Sequence, residues 1–231
     1  DSLFYNNKVI ASVTMGSAMP SVGNEAFAGC TALSTLALGS SVTTIGTAAF
    51  QGCTSLTAVT LPSTVTTLSE RAFADCTGVT SLSLNSGLTT IGTSAFSGCS
   101  ALTSVTVPNT VTTIGDIAFA DCTSLTALTI GSGVTTIGTS AFSSTKLTSL
   151  TIPNSVTTLS FSAVNTIATL TTLVIGNGVT AGIPDSLFYN NKVIASVTMG
   201  SAMPSVGNEA FAGCTALSTL ALGSSVTTIG T

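Results

Sequence analysis

The sequence predicts a mostly β solenoid, in which 23-residue coils stack, pair short strands into a parallel sheet and contain little α-helix. Three observations predict it. Phenylalanine recurs every 23 residues from Phe4 to Phe142, and it returns in the same phase at Phe188 and Phe211. Cysteine follows the same interval, and apolar residues occupy fixed offsets within it. A period of roughly 20 to 30 residues with Leu, Val or Ile at fixed offsets is typical of stacked coils.

The coil that begins at Leu102 shows how one interval folds. Leu102, Val105 and Val107 have the i, i+3, i+5 spacing of a leucine-rich repeat. Val105 and Val107 alternate with Ser104 and Thr106, which predicts a strand with one buried face. The chain then turns at Pro108-Asn109. Val111 and Ile114 point back into the core. Ala118, Phe119 and Cys122 close the coil from a third side.

Equivalent side chains of successive coils should form columns with a spacing of about 4.8 Å. For cysteine this spacing permits disulfides, but the side chains point the same way, which favours a buried column of free thiols. Some disulfides or a metal remain alternatives, although a 23-residue spacing without histidine is not a zinc pattern. The predicted core columns are Phe27, Phe50, Phe73, Phe96, Phe119, Phe142 and Phe211, with Cys30, Cys53, Cys76, Cys99, Cys122 and Cys214.

A longer period is superimposed on the coils. Residues 1–47 recur without change at 185–231, an offset of 184 residues or eight coils. We therefore expect a single continuous leucine-rich-repeat solenoid over 1–231, of about ten coils. Residues 1–184 form one super-repeat, and 185–231 begin an identical copy. Neither end looks like a cap, so further repeats are expected on both sides.

The coils also alternate in pairs. Proline follows the strand in every second coil, whereas glycine or asparagine holds that place in the others. The underlying unit is therefore predicted to be two coils. The proline positions are Pro62, Pro108 and Pro153, and the alternating ones are Gly39, Asn85, Gly131 and Gly176.

The stretch from Ser143 to Met199 is irregular. Cysteine is absent there, and Asn165 replaces the expected phenylalanine, which leaves Phe161 to fill its space. One interpretation is a worn coil with a compensating insertion. The other is a contact point that recurs every 184 residues, for which Tyr189 and Lys192 supply rarer side chains.

Composition excludes several classes of protein. Only 5% of residues are charged, with four lysines and arginines, against roughly 25% charged in an ordinary soluble domain. So few bases argue against binding to nucleic acid or to an anionic membrane. The 44% of hydrophobic residues argues against disorder. Thr, Ser or Gly interrupts every apolar run, so membrane insertion is not expected.

No catalytic or cofactor-binding pattern is present. The chain has no histidine, which excludes Ser-His and Cys-His arrangements. Asp75 and Asp121 lie two coils apart, roughly 10 Å by stacking, which could suit paired carboxylates, but a solvated loop is favoured. The sequence has no Asp-x-Asp-x-Asp loop, so a calcium site is not predicted. The sequence predicts no enzyme, no cofactor and no metal.

The outward strand residues are small, and they are the most informative surface. Thr60, Ser104, Thr106 and Thr129 represent them as candidate contact residues. A second ladder of paired threonines recurs after each turn, and such flat ladders resemble the ice-binding faces of some β-solenoids. The plainer interpretation is that threonine suits an exposed strand. The paired threonines are Thr43-Thr44, Thr66-Thr67, Thr89-Thr90, Thr112-Thr113, Thr135-Thr136 and Thr157-Thr158.

Residues 89–109, Thr-Thr-Ile-Gly-Thr-Ser-Ala-Phe-Ser-Gly-Cys-Ser-Ala-Leu-Thr-Ser-Val-Thr-Val-Pro-Asn, carry a known signature. The order Ala-Phe, two residues, Cys, two residues, Leu, and then Val-Pro-Asn resembles the BspA-like, or treponemal-type, leucine-rich repeat. The match covers nearly all of the chain and is weakest from Ser143 to Met199. The resemblance implies a curved solenoid, a surface or secreted location, and roles in adhesion and protein–protein contact. It implies no catalytic residues.

The leading hypothesis is a structural protein, a tandem solenoid that forms or lines an extracellular filament or surface layer. Its predicted partner is itself, through array or lateral contacts, since few charges oppose association. The alternatives are a surface adhesin that binds a protein or glycan through the concave face, and an ice-binding solenoid.

Overall fold

The computed structural model describes all residues 1–231, and it confirms the predicted leucine-rich-repeat solenoid, with about nine turns of parallel stacked strands. Almost every coil contributes two short strands and no helix. In chain order the elements are β1 Ser12–Thr14, β2 Ser21–Val22, β3 Thr35–Ala37, β4 Thr44–Ile45, β5 Ala58–Thr60, β6 Thr67–Leu68, β7 Ser81–Ser83, β8 Thr90–Ile91, β9 Ser104–Thr106, β10 Thr113–Ile114, β11 Ala127–Thr129, β12 Thr136–Ile137, β13 Ser149–Ile152, β14 Thr158–Leu159, α1 Ser162–Asn165, β15 Thr172–Ile175, β16 Ser196–Thr198, β17 Ser205–Val206, β18 Thr219–Ala221 and β19 Thr228–Ile229.

The strands form two faces. The first face consists of the strand of each coil that carries the outward small residues, namely β1, β3, β5, β7, β9, β11, β13, β15, β16 and β18. The second face consists of the strand that follows each turn, in which a threonine or serine precedes a buried apolar residue. Its members are β2, β4, β6, β8, β10, β12, β14, β17 and β19.

The strand predicted around Val105 is present as β9, and the longest sheet lies on the second face. Seven strands, from β2 to β14, pair there without a break. Thr113 pairs with Thr136, and Ile114 with Ile137. The inward residues Ile114 and Ile137 are almost fully buried. Because an apolar residue recurs at this inward position, register is fixed on the second face in every coil.

The first face is divided into pairs of strands. β1 pairs with β3, β5 with β7, and β9 with β11, whereas β13, β15, β16 and β18 form one four-stranded sheet. We call the unpaired boundaries β3/β5, β7/β9 and β11/β13 seams. This pairing follows the predicted two-coil alternation, because each proline coil opens a new group. Across the seams, hydroxyl groups in the turns donate to carbonyl oxygens of the preceding coil, Thr64 to Val42, Thr110 to Leu88 and Ser155 to Val134.

The core is one continuous cluster of 60 buried residues. It is closed on the third side by backbone hydrogen bonds between coils, such as the Phe50 N–H to the Ala72 oxygen at 2.9 Å. Each coil thus contacts only its neighbours. The stability of the solenoid is therefore close to the sum of the contributions of its coils and of the interfaces between neighbouring coils.

The irregular stretch is built around a coil of 22 residues. Val164, 22 residues after Phe142, is fully buried, while Asn165 is exposed. Phe161, at the N-terminus of the four-residue α1, packs only partly against the core. Phe161 therefore fills the place of the missing phenylalanine only in part, because the short coil brings Val164 inward instead. No helix of the chain is long enough to cross a bilayer.

Candidate interaction surfaces

The phenylalanine column runs through the interior. Adjacent rings from Phe4 to Phe142 are stacked, with centroids 5.1 to 6.4 Å apart. Phe211 stacks on Phe188 at 5.6 Å and is half-buried. Val164 interrupts the column between Phe142 and Phe188. The rings that are fully buried are Phe50, Phe73, Phe96, Phe119 and Phe142, and Phe27 is nearly so.

The six cysteines are free thiols. Each thiol donates a hydrogen bond to the carbonyl oxygen of the phenylalanine one coil earlier, as Cys99 does to Phe73 at 3.3 Å. Cys214 makes the same bond to Phe188 but is half-buried. No cluster of three or more His, Cys, Asp or Glu side chains could hold a metal ion. The column is therefore part of the packing. Its buried members are Cys30, Cys53, Cys76, Cys99 and Cys122.

The hydrogen bond with the Cys76 thiol lowers the pKa of Cys53, but burial has the opposite effect farther along the column. Desolvation raises the pKa of Cys122 from 9.0 to about 12, and it raises the pKa of Cys99 further. The thiolate is the reactive form of cysteine, so Cys99 and Cys122 are not nucleophiles at neutral pH.

The first face brings together some of the candidate contact residues. Thr106 pairs with Thr129 in register, and Ser104 is two residues before Thr106 on the same strand. Thr60 occupies the equivalent place on β5, in the neighbouring pair of strands. All four are exposed. They belong to one uncharged face that is rich in hydroxyl groups.

Tyr189 and Lys192 lie elsewhere, on the third side of the solenoid. Tyr189 is exposed, and the Lys192 ammonium donates to the carbonyl oxygen of Gly213 at 2.6 Å. Lys8 repeats this bond to Gly29 at 2.7 Å in the identical copy. The structure therefore does not join these two residues to the threonines of the first face.

The threonine ladder on the second face is internally hydrogen bonded. Thr89 donates its hydroxyl proton to the carbonyl oxygen of Thr66 at 3.0 Å, and Thr112 donates to Thr89 at 3.2 Å. The ladder continues through Thr135. These bonds orient the hydroxyl groups along the solenoid axis, which gives the threonines a structural role.

Sequence reasoning missed a set of side chains that connect neighbouring coils at the corners. The Asn154 carboxamide oxygen accepts the Asn177 N–H at 2.9 Å, and the Asn177 oxygen accepts the Ser201 N–H at 2.9 Å. Asp116 does the same at another corner, where it accepts the Thr139 N–H. The available signal was the recurrence of Asn or Asp at these two coil positions in some of the coils, at Asn109, Asn154 and Asn177 and at Asn24, Asp116, Asp185 and Asn208. Asp75 and Asp121 are exposed, and Asp75 accepts a hydrogen bond from the Gln51 carboxamide of the preceding coil at 3.3 Å.

A family model for the BspA type leucine rich repeat region, in six copies, matches residues 1–126 and 112–231. The chain belongs to the BspA type leucine rich repeat family. The signature carried by residues 89–109 therefore identifies the family correctly. The BspA type repeats cover the irregular stretch as well as the regular coils.

Solved structures agree with this membership. A leucine-rich repeat protein from Bacteroides ovatus has a TM-score of 0.73 and 23% identity, and the match covers 98% of this chain and 70% of that one. A leucine rich cell surface protein from Faecalibacterium prausnitzii has a TM-score of 0.67 and 29% identity, over 95% and 69%. The T. pallidum leucine rich repeat protein has a TM-score of 0.61 and 30% identity, over 69% and 77%. No curated protein sequence matches significantly.

Proposed function

We propose that the chain is a segment of a long tandem array of 184-residue units, a structural repeat protein that forms or lines an extracellular filament or surface layer. The observation that carries this proposal is the identity of residues 1–47 and 185–231. A second, identical beginning within one solenoid is the pattern of a unit that repeats along an axis.

The passage from one unit to the next keeps the stacking. β15 lies in the first unit and β16 in the second, and they pair in parallel with Leu173 opposite Val197. Ile183 bridges to Val206 on the second face. Units joined in this way would share one core, which supports a continuous array.

The two identical copies also show what a preceding coil covers. Leu3 is 75% exposed, whereas its internal counterpart Leu187 is 8% exposed. Met19 is 45% exposed, whereas Met203 is fully buried. Burying such side chains contributes roughly 1.5 to 3 kcal/mol each. In a tandem array, each unit would be covered in this way by the unit before it.

Electron microscopy of the native material, with its intact mass, tests the proposal. Filaments or a layer with an axial period of eight coils, roughly 38 Å from the strand spacing, would support it. Monodisperse particles with a mass near 22.7 kDa would contradict it.

A protein- or glycan-binding adhesin is the second candidate. It is favoured by the Faecalibacterium relative, which is described as a cell surface protein, and we propose the same location for this chain. Substitution of Thr60, Thr106 and Thr129 by arginine should abolish attachment to host or matrix surfaces if the first face is adhesive. Retained attachment would exclude that face.

A further inference from the structure

The seam between β11 and β13 differs from the other two because it opens into a cleft. The cleft has a volume of about 600 Å³ and is lined by Thr129, Ser132, Thr148, Thr151 and Pro153, among others. The flanking strands are farther apart than those at the β3/β5 and β7/β9 seams. A volume of this size lies within the range of ligand sites.

A missing residue explains the opening. Phe119 and Leu125 are six residues apart, but their counterparts Phe142 and Leu147 are five apart. The second face keeps its pairing across this coil, with Thr136 opposite Thr158. The chain is therefore held on the second face and is one residue short on its way to β13, which widens the β11/β13 seam beyond the other two seams, whose coils have 23 residues.

As at the other two seams, backbone groups are left unpaired on both walls. In a parallel sheet, alternate residues of a strand direct their N–H and C=O groups to opposite neighbours. Leu128 and Ile130 direct theirs toward β13, while Ser149 and Thr151 direct theirs toward β11. None of these four N–H groups has a hydrogen-bond partner within the chain. In the closed pair next to them, by contrast, the Val107 N–H donates to the Thr129 oxygen at 2.9 Å.

We propose that this cleft binds an extended, uncharged peptide segment of another polypeptide, which pairs with the free edges of β11 and β13. Main-chain hydrogen bonds of this kind give affinity in β-strand addition, and pockets for alternate side chains give specificity. The lining residues include no charged side chain, which disfavours an ionic ligand. They include no aromatic ring, so a glycan has nothing to stack on. The small hydroxyl side chains leave room for a peptide backbone to approach.

Fluorescence anisotropy on the intact chain tests the proposal. The probe is a fluorescein-labelled, acetylated and amidated peptide with the sequence of residues 102–109, Leu-Thr-Ser-Val-Thr-Val-Pro-Asn, which already pairs in parallel within this fold. We expect saturable binding, and at least a tenfold loss of affinity in Thr129→Arg and in Thr151→Arg. Ser83→Arg is the matched control, since Ser83 has the same strand position on β7 outside the cleft, and its affinity should stay within twofold.

A second variant addresses the cause of the cleft. Insertion of one alanine between Ser144 and Thr145 restores a 23-residue coil, so the β11/β13 seam should narrow to the width of the β7/β9 seam and peptide binding should be lost. Circular dichroism and thermal unfolding test whether the insertion variant is folded. If it is unfolded, Thr129→Arg and Thr151→Arg alone test the proposal. Absent peptide binding, binding that survives Thr129→Arg and Thr151→Arg, or binding of maltohexaose that displaces the peptide would each overturn the proposal. The test is independent of whether the chain belongs to an array.

Discussion

The Cys76 thiol donates a hydrogen bond to the carbonyl oxygen of Phe50, across 3.1 Å and from one coil to the preceding one. The bond joins the cysteine column to the phenylalanine column, so each coil closes on the one before it. The same link recurs in Cys30 to Phe4, Cys53 to Phe27, Cys99 to Phe73, Cys122 to Phe96 and Cys214 to Phe188.

The link at Cys76 can be measured by removing it. Cys76→Ala should destabilise the chain by about 2 kcal/mol, because it leaves a cavity and removes one of the two hydrogen bonds to the Phe50 carbonyl oxygen, which also accepts from the Cys53 N–H. Urea unfolding followed by circular dichroism gives the free energy of unfolding. Cys214→Ala is the control, since Cys214 is half-buried, and it should cost clearly less. Equal losses would show that burial does not set the cost.

Alkaline pH should destabilise the chain through the buried thiols. Burial raises the pKa of Cys122 from 9.0 to about 12 and raises the pKa of Cys99 further. Above pH 9 the unfolded chain releases these protons while the folded chain keeps them, so the unfolded state binds fewer protons and stability falls as pH rises. The stability is fully present below pH 9 and declines from there toward pH 12.

Between pH 9.5 and 11, the free energy of unfolding should fall by about 1.4 kcal/mol per pH unit for each of the two thiols. Urea unfolding at stepped pH measures it. The double variant Cys99→Ala/Cys122→Ala should show a shallower slope, although its stability at pH 7 is lower. An unchanged slope would assign the alkaline loss to other groups.

Ile117 should be replaceable with a gain in stability. Its φ is +58°, in the left-handed region, and its side chain is 41% exposed. A β-branched residue is strained there, whereas asparagine tolerates the conformation. Ile117→Asn should therefore stabilise the chain by about 1 kcal/mol, seen as a higher unfolding midpoint in urea. Ala48→Gly, at the equivalent coil position with φ +53°, serves for comparison and should gain less.

Asn177 connects coils at a corner, and its substitution should lower the free energy of unfolding only modestly. Asn177→Ala removes the acceptor for the Ser201 N–H and should cost about 0.5 to 1.5 kcal/mol, as ordinary hydrogen bonds do. Asn177→Asp keeps an acceptor oxygen and should stay within about half of that loss. Hydrogen exchange of the Ser201 amide should accelerate in the alanine variant alone.

The coil, the columns and the family were predictable because the 23-residue period repeats the same chemistry many times. A misplaced Phe119 or Leu102 would break the pattern visibly. The two-coil alternation was also visible, since Pro62, Pro108 and Pro153 mark it. The structural consequence of this alternation, the pairing of first-face strands in groups, could not be predicted from the sequence.

The rest depends on backbone geometry that composition does not encode. The threonines on the two faces look alike in sequence, yet the second face pairs without a break from β2 to β14 and the first face does not. The absence of one residue between Phe142 and Leu147 placed Val164 rather than Asn165 in the core. The same absence opened the cleft beside β13. A missing residue is hard to recognise in the sequence, because no side chain marks its place.

The unequal faces have a mechanical consequence. A rod whose second face is a continuous ladder from β2 to β14, and whose first face is divided at three seams, resists bending differently in its two directions. Tension would open the first face at the seams while the second face still holds. A tether made from such units would lengthen by curling before any coil unfolds, and its softest joint would be the one between β11 and β13.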